Sequence, residues 1–255
     1  MTNRDGTLPP LSRATDKVRQ GEGSVVIVGV GALGSAAALE LATAPIERVR
    51  LVDGDRVEIS NLHRQMLHEV EDIGRPKATV AGEKLARLGS FPVEVRNEHL
   101  TAENAADLLD GMDVAIDATD DVTTKFRLND ACVAAGIPLV HAGVVGFRGQ
   151  LLAIVPGKGP CLRCLFPDPP AEGETATCRD AGILGPVAGF VGTLQARTAL
   201  GLLGGDGEAR FLQFDARSMV LRATHPRRSP DCPVCAASSM VRGRSHEYGH
   251  RPQVP

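Results

Sequence analysis

The stretch "SVVIVGVGALGSAAALELA" (24–42) restricts the fold of this chain more than any other. A short apolar, β-branched run (24–30) reads as a buried strand, and the Ala/Leu-rich segment 33–44 that follows reads as a helix. The glycine-rich "GVGALG" (29–34) joins them in a single tight turn. The same alternation continues down the chain. "RVRLVD" (48–53), "VEVRNE" (93–98), "DVAIDAT" (113–119) and "IPLVHAG" (137–143) read as further strands. Helices are expected over 75–88, with Pro76 near the first turn where proline is tolerated, over 102–110, and over 123–136, ending at Gly136. Short strands alternating with helices predict an α/β fold with a doubly wound, mostly parallel sheet. The pattern changes after Gly149. "QLLAIVP" (150–156), "RFLQFDA" (210–216) and the region 217–223 predict a mixed or antiparallel C-terminal extension of that sheet.

At 255 residues and 43% hydrophobic, the chain can build one large α/β core. A polar arm is expected over 1–22, one continuous domain over 23–236, and a polar, disordered tail over 237–255. A net charge of −3 without a dense basic run in the body argues against a nucleic-acid or anionic-membrane surface. "MTNRDGTLPP" has no apolar core and does not read as an export signal, so a cytoplasmic protein is expected. The longest apolar stretch, 183–204, is interrupted by Pro186, Gln195 and Arg197; a buried or dimer-contact helix fits it better than a membrane span.

A glycine loop between strand and helix is the setting of a phosphate cradle, because backbone N–H groups at a helix N-terminus face an anion. Asp53 ends the next strand, where an acidic side chain can hold ribose hydroxyls. These features alone suit a dinucleotide or a nucleoside triphosphate. The residues that follow favour the triphosphate. Asn61, Arg64 and Gln65 lie just past the second strand, and Lys77 opens the next helix. Added cations suit the larger charge and the leaving group of a triphosphate. "DATDD" (117–121) ends the fourth strand, so Asp120 or Asp121 is a candidate for Mg²⁺, with helix capping as the alternative for either.

Six cysteines without an export signal point to a reducing compartment, where paired Cys-x-x-Cys more often means metal or redox chemistry than disulfides. Cys161 and Cys164 form one pair, Cys232 and Cys235 the other. Four thiolates in two knuckles are the complement of a closed tetrahedral zinc site, and Pro160 and Pro233 suit metal knuckles better than a redox pair. Cys132, in an apolar helix, reads as a core residue, whereas Cys178 lies in a polar loop beside Arg179, which favours its thiolate.

"GVGALG", "DGDRVEISNLHRQ", "IGRPKA", "DATDD", "GFRGQ", "CLRC", "TCRDAG" and "CPVC" occur in the order found in the ThiF/MoeB/HesA family, bacterial relatives of the ubiquitin-activating enzymes. The chain resembles that family from about residue 23 to 236, most closely its ThiF-like members. The resemblance implies a Rossmann-like adenylation domain that uses ATP and Mg²⁺ to activate the C-terminal Gly-Gly carboxylate of a ubiquitin-like sulfur-carrier protein. Adenylation of another peptide or small-molecule carboxylate, or a non-catalytic binding partner of the same fold, is the alternative.

The implied nucleotide site comprises Gly29, Gly31, Ala32, Gly34, Asp53, Asp55, Ser60, Asn61, Arg64, Gln65, Lys77, Asp120 and Asp121. Arg64 and Lys77 are the strongest catalytic candidates, with Asp120 for magnesium and Cys178 for a covalent step with the carrier. A homodimer is implied. No rhodanese-like extension follows the second Cys pair, so a separate sulfur donor is expected. Three departures stand out: Ala32 where glycine is usual, Asp121 where asparagine is common, and a shortened arm "LSRATDKVRQGEG". In that arm only Arg13 or Arg19 is available to stand in for an arginine that reaches the partner subunit's nucleotide.

Overall fold

A computed structural model of the chain describes residues 23–170, 182–205 and 208–236. Eight strands form one sheet in the order β3-β2-β1-β4-β5-β6-β7-β8. The strands are β1 (Ser24–Val28), β2 (Arg48–Val52), β3 (Val93–Arg96), β4 (Val114–Asp117), β5 (Leu139–Val145), β6 (Arg148–Ile154), β7 (Phe211–Asp215) and β8 (Val220–Thr224). The first five run parallel, as their separation by helical segments predicts. From β5 onward every pairing is antiparallel. The expected C-terminal extension is therefore present, and β5 and β6 are joined by a two-residue turn at Gly146 and Phe147.

The helices cover both faces. On one face lie α1 (Ala32–Leu41), α2 (Lys77–Leu88) and α6 (Gly185–Leu203), packed on Val25, Ile27, Val49, Leu51, Ile116 and Val140. On the other lie α3 (Ala105–Leu109), α4 (Val122–Ala135) and the single-turn α5 (Leu162–Leu165), packed on Val26, Val28, Val52, Ala115 and Leu152. Successive residues of a strand thus feed opposite cores. That is why the parallel strands read as unbroken apolar runs rather than as an alternation.

Differences from the sequence reading lie at element ends. The first helix stops at Leu41 rather than residue 44, just before the turn that leads into Pro45. Pro76 sits at the N-cap of α2 rather than within its first turn. The expected helix 102–110 shrinks to α3 because Thr101 and Asn104 bond each other: the Thr101 N–H donates to Asn104 Oδ1 at 2.8 Å, forming a turn instead of helix. Gln195 does not interrupt α6. It is fully buried, and its Nε2 donates to the carbonyls of Asp117 at 2.6 Å and Val140 at 3.0 Å. Arg197 pairs with Glu40 on α1. Among the described residues no helix is long and apolar enough to cross a membrane. The arm 1–22, the tail 237–255 and Cys178 lie outside the described residues.

Candidate active site and four-cysteine cluster

Strand order reverses between β1 and β4, so the connections leaving their carboxyl ends run to opposite sides. Such switch points in open α/β sheets are where ligands bind. A cavity of about 620 Å³ opens at this place, lined by residues following β1, β2, β3 and β4, by Gly143 and Val144 within β5, and by the start of α2.

The glycine loop forms its floor. Gly29 has φ +89°, and a Cβ there would lie 2.7 Å from the Ala118 carbonyl. A Cβ on Gly34 would lie 2.0 Å from the Gly29 carbonyl. Both positions demand glycine. Ala32 is different in kind: it is the first residue of α1, in helical conformation, so its methyl group costs the loop nothing. No side chain caps α1, so its first-turn N–H groups are open to an anion.

Most of the residues expected in the nucleotide site line this cavity: Gly29, Gly31, Ala32, Asp53, Asp55, Ser60, Asn61, Arg64, Gln65, Lys77, Asp120 and Asp121. Gly34 lies beneath them, packed on Gly29. Asp53 is buried and braces the loop, its Oδ2 accepting the Val30 N–H at 2.6 Å and its Oδ1 the Asp55 N–H at 2.8 Å. Burial pushes its carboxyl above the ordinary range, against the pull of the Val30 amide and of Lys77. Asn61 holds Arg64: the guanidinium Nη2 donates to Asn61 Oδ1 at 2.7 Å and Nη1 to the Ser60 carbonyl at 3.1 Å. Lys77 is buried, with its Nζ 2.8 Å from Asp55 Oδ2. Gln65 is buried under Gly31, and its Oε1 has no hydrogen-bond partner among the described residues.

The two aspartates of "DATDD" separate. Asp121 is the N-cap of α4, its Oδ2 accepting the Thr124 N–H at 2.6 Å and the Thr124 hydroxyl at 2.7 Å. Asp120 is exposed to the cavity, with no hydrogen bond or ion pair among the described residues. The expected outcomes differ accordingly. Asp121→Ala should destabilise the fold by about 1 kcal/mol. Asp120→Ala should leave the unliganded melting temperature unchanged and abolish the extra stabilisation that magnesium adds to ATP. Thermal melts with ATP, with and without magnesium, check both.

Sequence reasoning missed a buried charge cluster under the cavity. Asp117, the last residue of β4, and His141, the third residue of β5, are register partners. The Asp117 carboxylate, fully buried, meets His141 Nδ1 at 2.6 Å, the Thr119 hydroxyl at 2.7 Å and Lys125 Nζ at 3.3 Å. Lys125, on the first turns of α4, also donates to the Ala142 carbonyl at 2.8 Å and reaches the cavity. Burial alone would raise the Asp117 carboxyl. Lys125, His141 and Thr119 outweigh it and hold Asp117 well below the carboxylate range. Burial holds His141 below the ordinary imidazole value, and it does the same to His68, whose Nε2 meets the Val30 carbonyl at 3.1 Å.

Both histidines therefore bind protons more readily in the unfolded chain. Their contribution to stability is complete above about pH 6.5 and is lost as pH falls from there toward the lowered folded values. Each proton adds a slope of up to about 1.4 kcal/mol per pH unit. Urea midpoints should fall from pH 7.5 to 5.5, and His141→Gln should flatten that fall in part.

A second cluster lies farther along α4, on the face covered by α3, α4 and α5. The sulfurs of Cys161, Cys164, Cys232 and Cys235 are all within 4.8 Å of one another. The Cys161–Cys232 separation is 3.5 Å, Cys164–Cys235 is 3.3 Å and Cys161–Cys164 is 4.0 Å. Zinc–sulfur bonds of 2.3 Å in a tetrahedron put sulfurs about 3.8 Å apart. Four thiols and no hard oxygen donor fit zinc. The first knuckle is docked on α4. Arg163 makes a forked pair with Asp130, its Nε 2.9 Å from Oδ1 and its Nη2 2.9 Å from Oδ2, while the Leu162 N–H donates to Asn129 Oδ1 at 2.9 Å.

Comparison with known proteins agrees with this geometry. The ThiF family model matches residues 10–234. A sulfur carrier protein adenylyltransferase of Thermus thermophilus is 42% identical over 221 residues, covering 83% of this chain and 82% of that one. The sulfur carrier protein ThiS adenylyltransferase of Escherichia coli is 42% identical over 224 residues, with 86% and 88% covered. The SAMP-activating enzyme E1 of Haloferax volcanii is 42% identical over 215 residues, with 83% and 79% covered. The crystal structure of E. coli MccB with ATP shares the fold at a TM-score of 0.74 and 24% identity, over 88% of this chain and 69% of that one. A crevice built around a bare helix N-terminus and two cations, together with a family match over most of the chain, means that this protein belongs to the ThiF family of ATP-dependent adenylyltransferases.

Proposed function

We propose that residues 23–236 form the adenylation unit and that it activates the C-terminal glycine carboxylate of a ubiquitin-like sulfur-carrier protein. The observation that carries this reading is one crevice holding an uncapped helix N-terminus, the Asn61-braced Arg64, Lys77 and the unpartnered Asp120. The names of the 42%-identical relatives support the choice of carboxylate.

The carrier carboxylate attacks the α-phosphorus of ATP. A carboxyl oxygen–phosphorus bond forms, the bond from the α-phosphorus to the bridging oxygen breaks, and pyrophosphate leaves with the electron pair. The nucleophile is already an anion, so no general base is required. The protein's work is positioning and charge neutralisation. Asp53 receives the ribose, the first turn of α1 the phosphates, and Arg64 and Lys77 offset the charge that grows on the leaving group. Ser60 and Asn61 aim Arg64, and Asp55 holds Lys77 until phosphate displaces it. Asp120 holds Mg²⁺, which supplies charge neutralisation on the phosphate oxygens when bound.

Zinc at the four cysteines is structural. Cys178 is the thiol proposed for a covalent step with the carrier, and a separate protein supplies sulfur. A homodimer acting in the cytoplasm completes the reading. Phe147, Leu184 and Phe190, all large apolar side chains about 40% exposed, support a self-association face.

The test is ATP–pyrophosphate exchange with purified small proteins ending in Gly-Gly from the same genome. Exchange that depends on such a carrier, and is lost when its last glycine is removed, is the expected result. ATP binding without exchange would favour a non-catalytic partner. Exchange with a short peptide alone would favour another carboxylate substrate.

A further inference from the structure

A zinc ion held by four thiolates carries a net charge of about two minus. Three of these cysteines, Cys161, Cys232 and Cys235, are 1–3% exposed. Buried charge without compensation is costly, so the neighbours of each sulfur matter. Cys232 Sγ accepts the Cys235 N–H at 3.5 Å and lies beside the Val234 amide. Cys164 is served by the Ser229 and Cys161 backbone amides. These are neutral dipoles. Cys235 is different: its Sγ accepts from Arg228 Nε at 3.2 Å.

The same guanidinium has a second telling feature. Its Nη2 is buried and has no hydrogen-bond partner among the described residues. A desolvated guanidinium nitrogen without an acceptor is unfavourable unless it lies in the field of an anion. The neighbouring cations do not take this role. Arg163, inside the first knuckle, is committed to Asp130, to the Pro167 carbonyl at 2.9 Å and to the Phe126 ring. Arg227 is exposed, whereas Arg228, which lines the same surface cavity beside Lys158, His225 and Glu208, is half-buried.

We propose that Arg228 is the outer-sphere counterion of the zinc site: its Nε hydrogen-bonds the Cys235 thiolate, and its half-buried guanidinium, with Nη2 shielded from solvent, offsets the charge of the four-thiolate complex and retains the metal. The inference rests on the zinc reading of the four cysteines. It makes Arg228 a positioning residue, since it touches a ligand of the metal rather than the metal. Partners of this kind typically contribute 10- to 100-fold in metal affinity.

The test uses zinc-loaded full-length protein and the variants Arg228→Ala, Arg228→Lys and Arg227→Ala. Zinc content is measured first, then the rate of zinc transfer to a colorimetric chelator. Arg228→Ala should lose zinc at least about tenfold faster. Arg228→Lys, which keeps the charge without the planar fork, should fall between it and the parent. Arg227→Ala should stay within twofold of the parent. If Arg228→Ala does not fold, Arg228→Lys alone carries the comparison.

Cobalt-loaded protein gives a signature that a packing defect would not produce. Loss of a charged donor raises the energy of the thiolate electrons, so the sulfur-to-cobalt charge-transfer band should move to longer wavelength in Arg228→Ala only. Zinc release and band position unchanged in the Arg228 variants would overturn the proposal. So would equal effects in Arg227→Ala. A parent protein that takes up no zinc would overturn the zinc reading itself, and that outcome is separable by the initial metal analysis.

Discussion

Arg64→Ala is expected to lower carrier-dependent ATP–pyrophosphate exchange by about 100- to 1,000-fold, the range seen when one charge-stabilising donor is removed from a site of this kind. The fold should survive. The described partners of Arg64 are the Ser60 carbonyl, Asn61 and the neighbouring His63, all within its own turn. The melting temperature should therefore hardly change. Arg64→Lys keeps the charge and loses the fork, so it should recover only part of the rate. Asn61→Ala acts through Arg64 and should cost less than Arg64→Ala. Lys77→Ala should match Arg64→Ala in rate. The partner it leaves, Asp55, has a side chain 54% exposed, and water can take over there. A large stability loss in Arg64→Ala, with activity per folded molecule unchanged, would remove Arg64 from the reaction.

Removal of zinc should have the largest effect on stability. In the fold, the two knuckles join the segment after β8 to the segment after β6, and the first knuckle is fastened to α4 by Asn129 and Asp130. Without metal, that junction is left to four packed thiols. Structural zinc sites contribute folding free energy directly, and the loss should amount to at least several kcal/mol. At about 2–4 °C per kcal/mol for a chain of this size, the melting temperature should fall by roughly 10 °C or more. Cys161→Ser, at the most buried of the four positions, should reproduce the effect of chelation. Cys132→Ser is the control: it removes a buried thiol that is not part of the cluster. If chelation and Cys161→Ser leave the melt unchanged, zinc is not structural here.

Much of this architecture was legible in the sequence, for identifiable reasons. The parallel strands are buried on both faces, so Val25 to Val28 and Val49 to Val52 advertise themselves as apolar runs. Gly29 and Gly34 stand where a Cβ would collide with backbone, so a short pattern carries the geometry of the loop. Cys-x-x-Cys spacing follows from the reach of a knuckle around one ion.

What stayed hidden depends on pairs that meet only through tertiary structure. Asp117, Lys125 and His141 carry no shared motif. Asp117 and His141 face each other because β4 and β5 pair in one register, and Lys125 joins them because α4 turns back over β5. A polar residue at the end of one apolar strand, Asp117, and inside the next, His141, was the available signal. Gln195 interrupted the apolar stretch 183–204, and its partners, the Asp117 carbonyl at the end of β4 and the Val140 carbonyl near the start of β5, are set by tertiary structure. The roles of Asp120 and Asp121 could not be separated until the cap of α4 was located. Arg228 lies in a polar stretch with nothing in its spacing to mark it; its contact with Cys235 and its buried Nη2 single it out in the fold.

The central claim is that the crevice at the β1–β4 switch point transfers AMP to the carboxyl terminus of a carrier protein. Intact-mass analysis of a Gly-Gly-terminated carrier, after incubation with this protein, ATP and magnesium, tests it most directly. The expected product is a carrier heavier by one adenylyl group, localised to the terminal glycine, and absent with Arg64→Ala or without ATP. An unmodified carrier in the presence of bound ATP, or AMP attached at any other group, would contradict it.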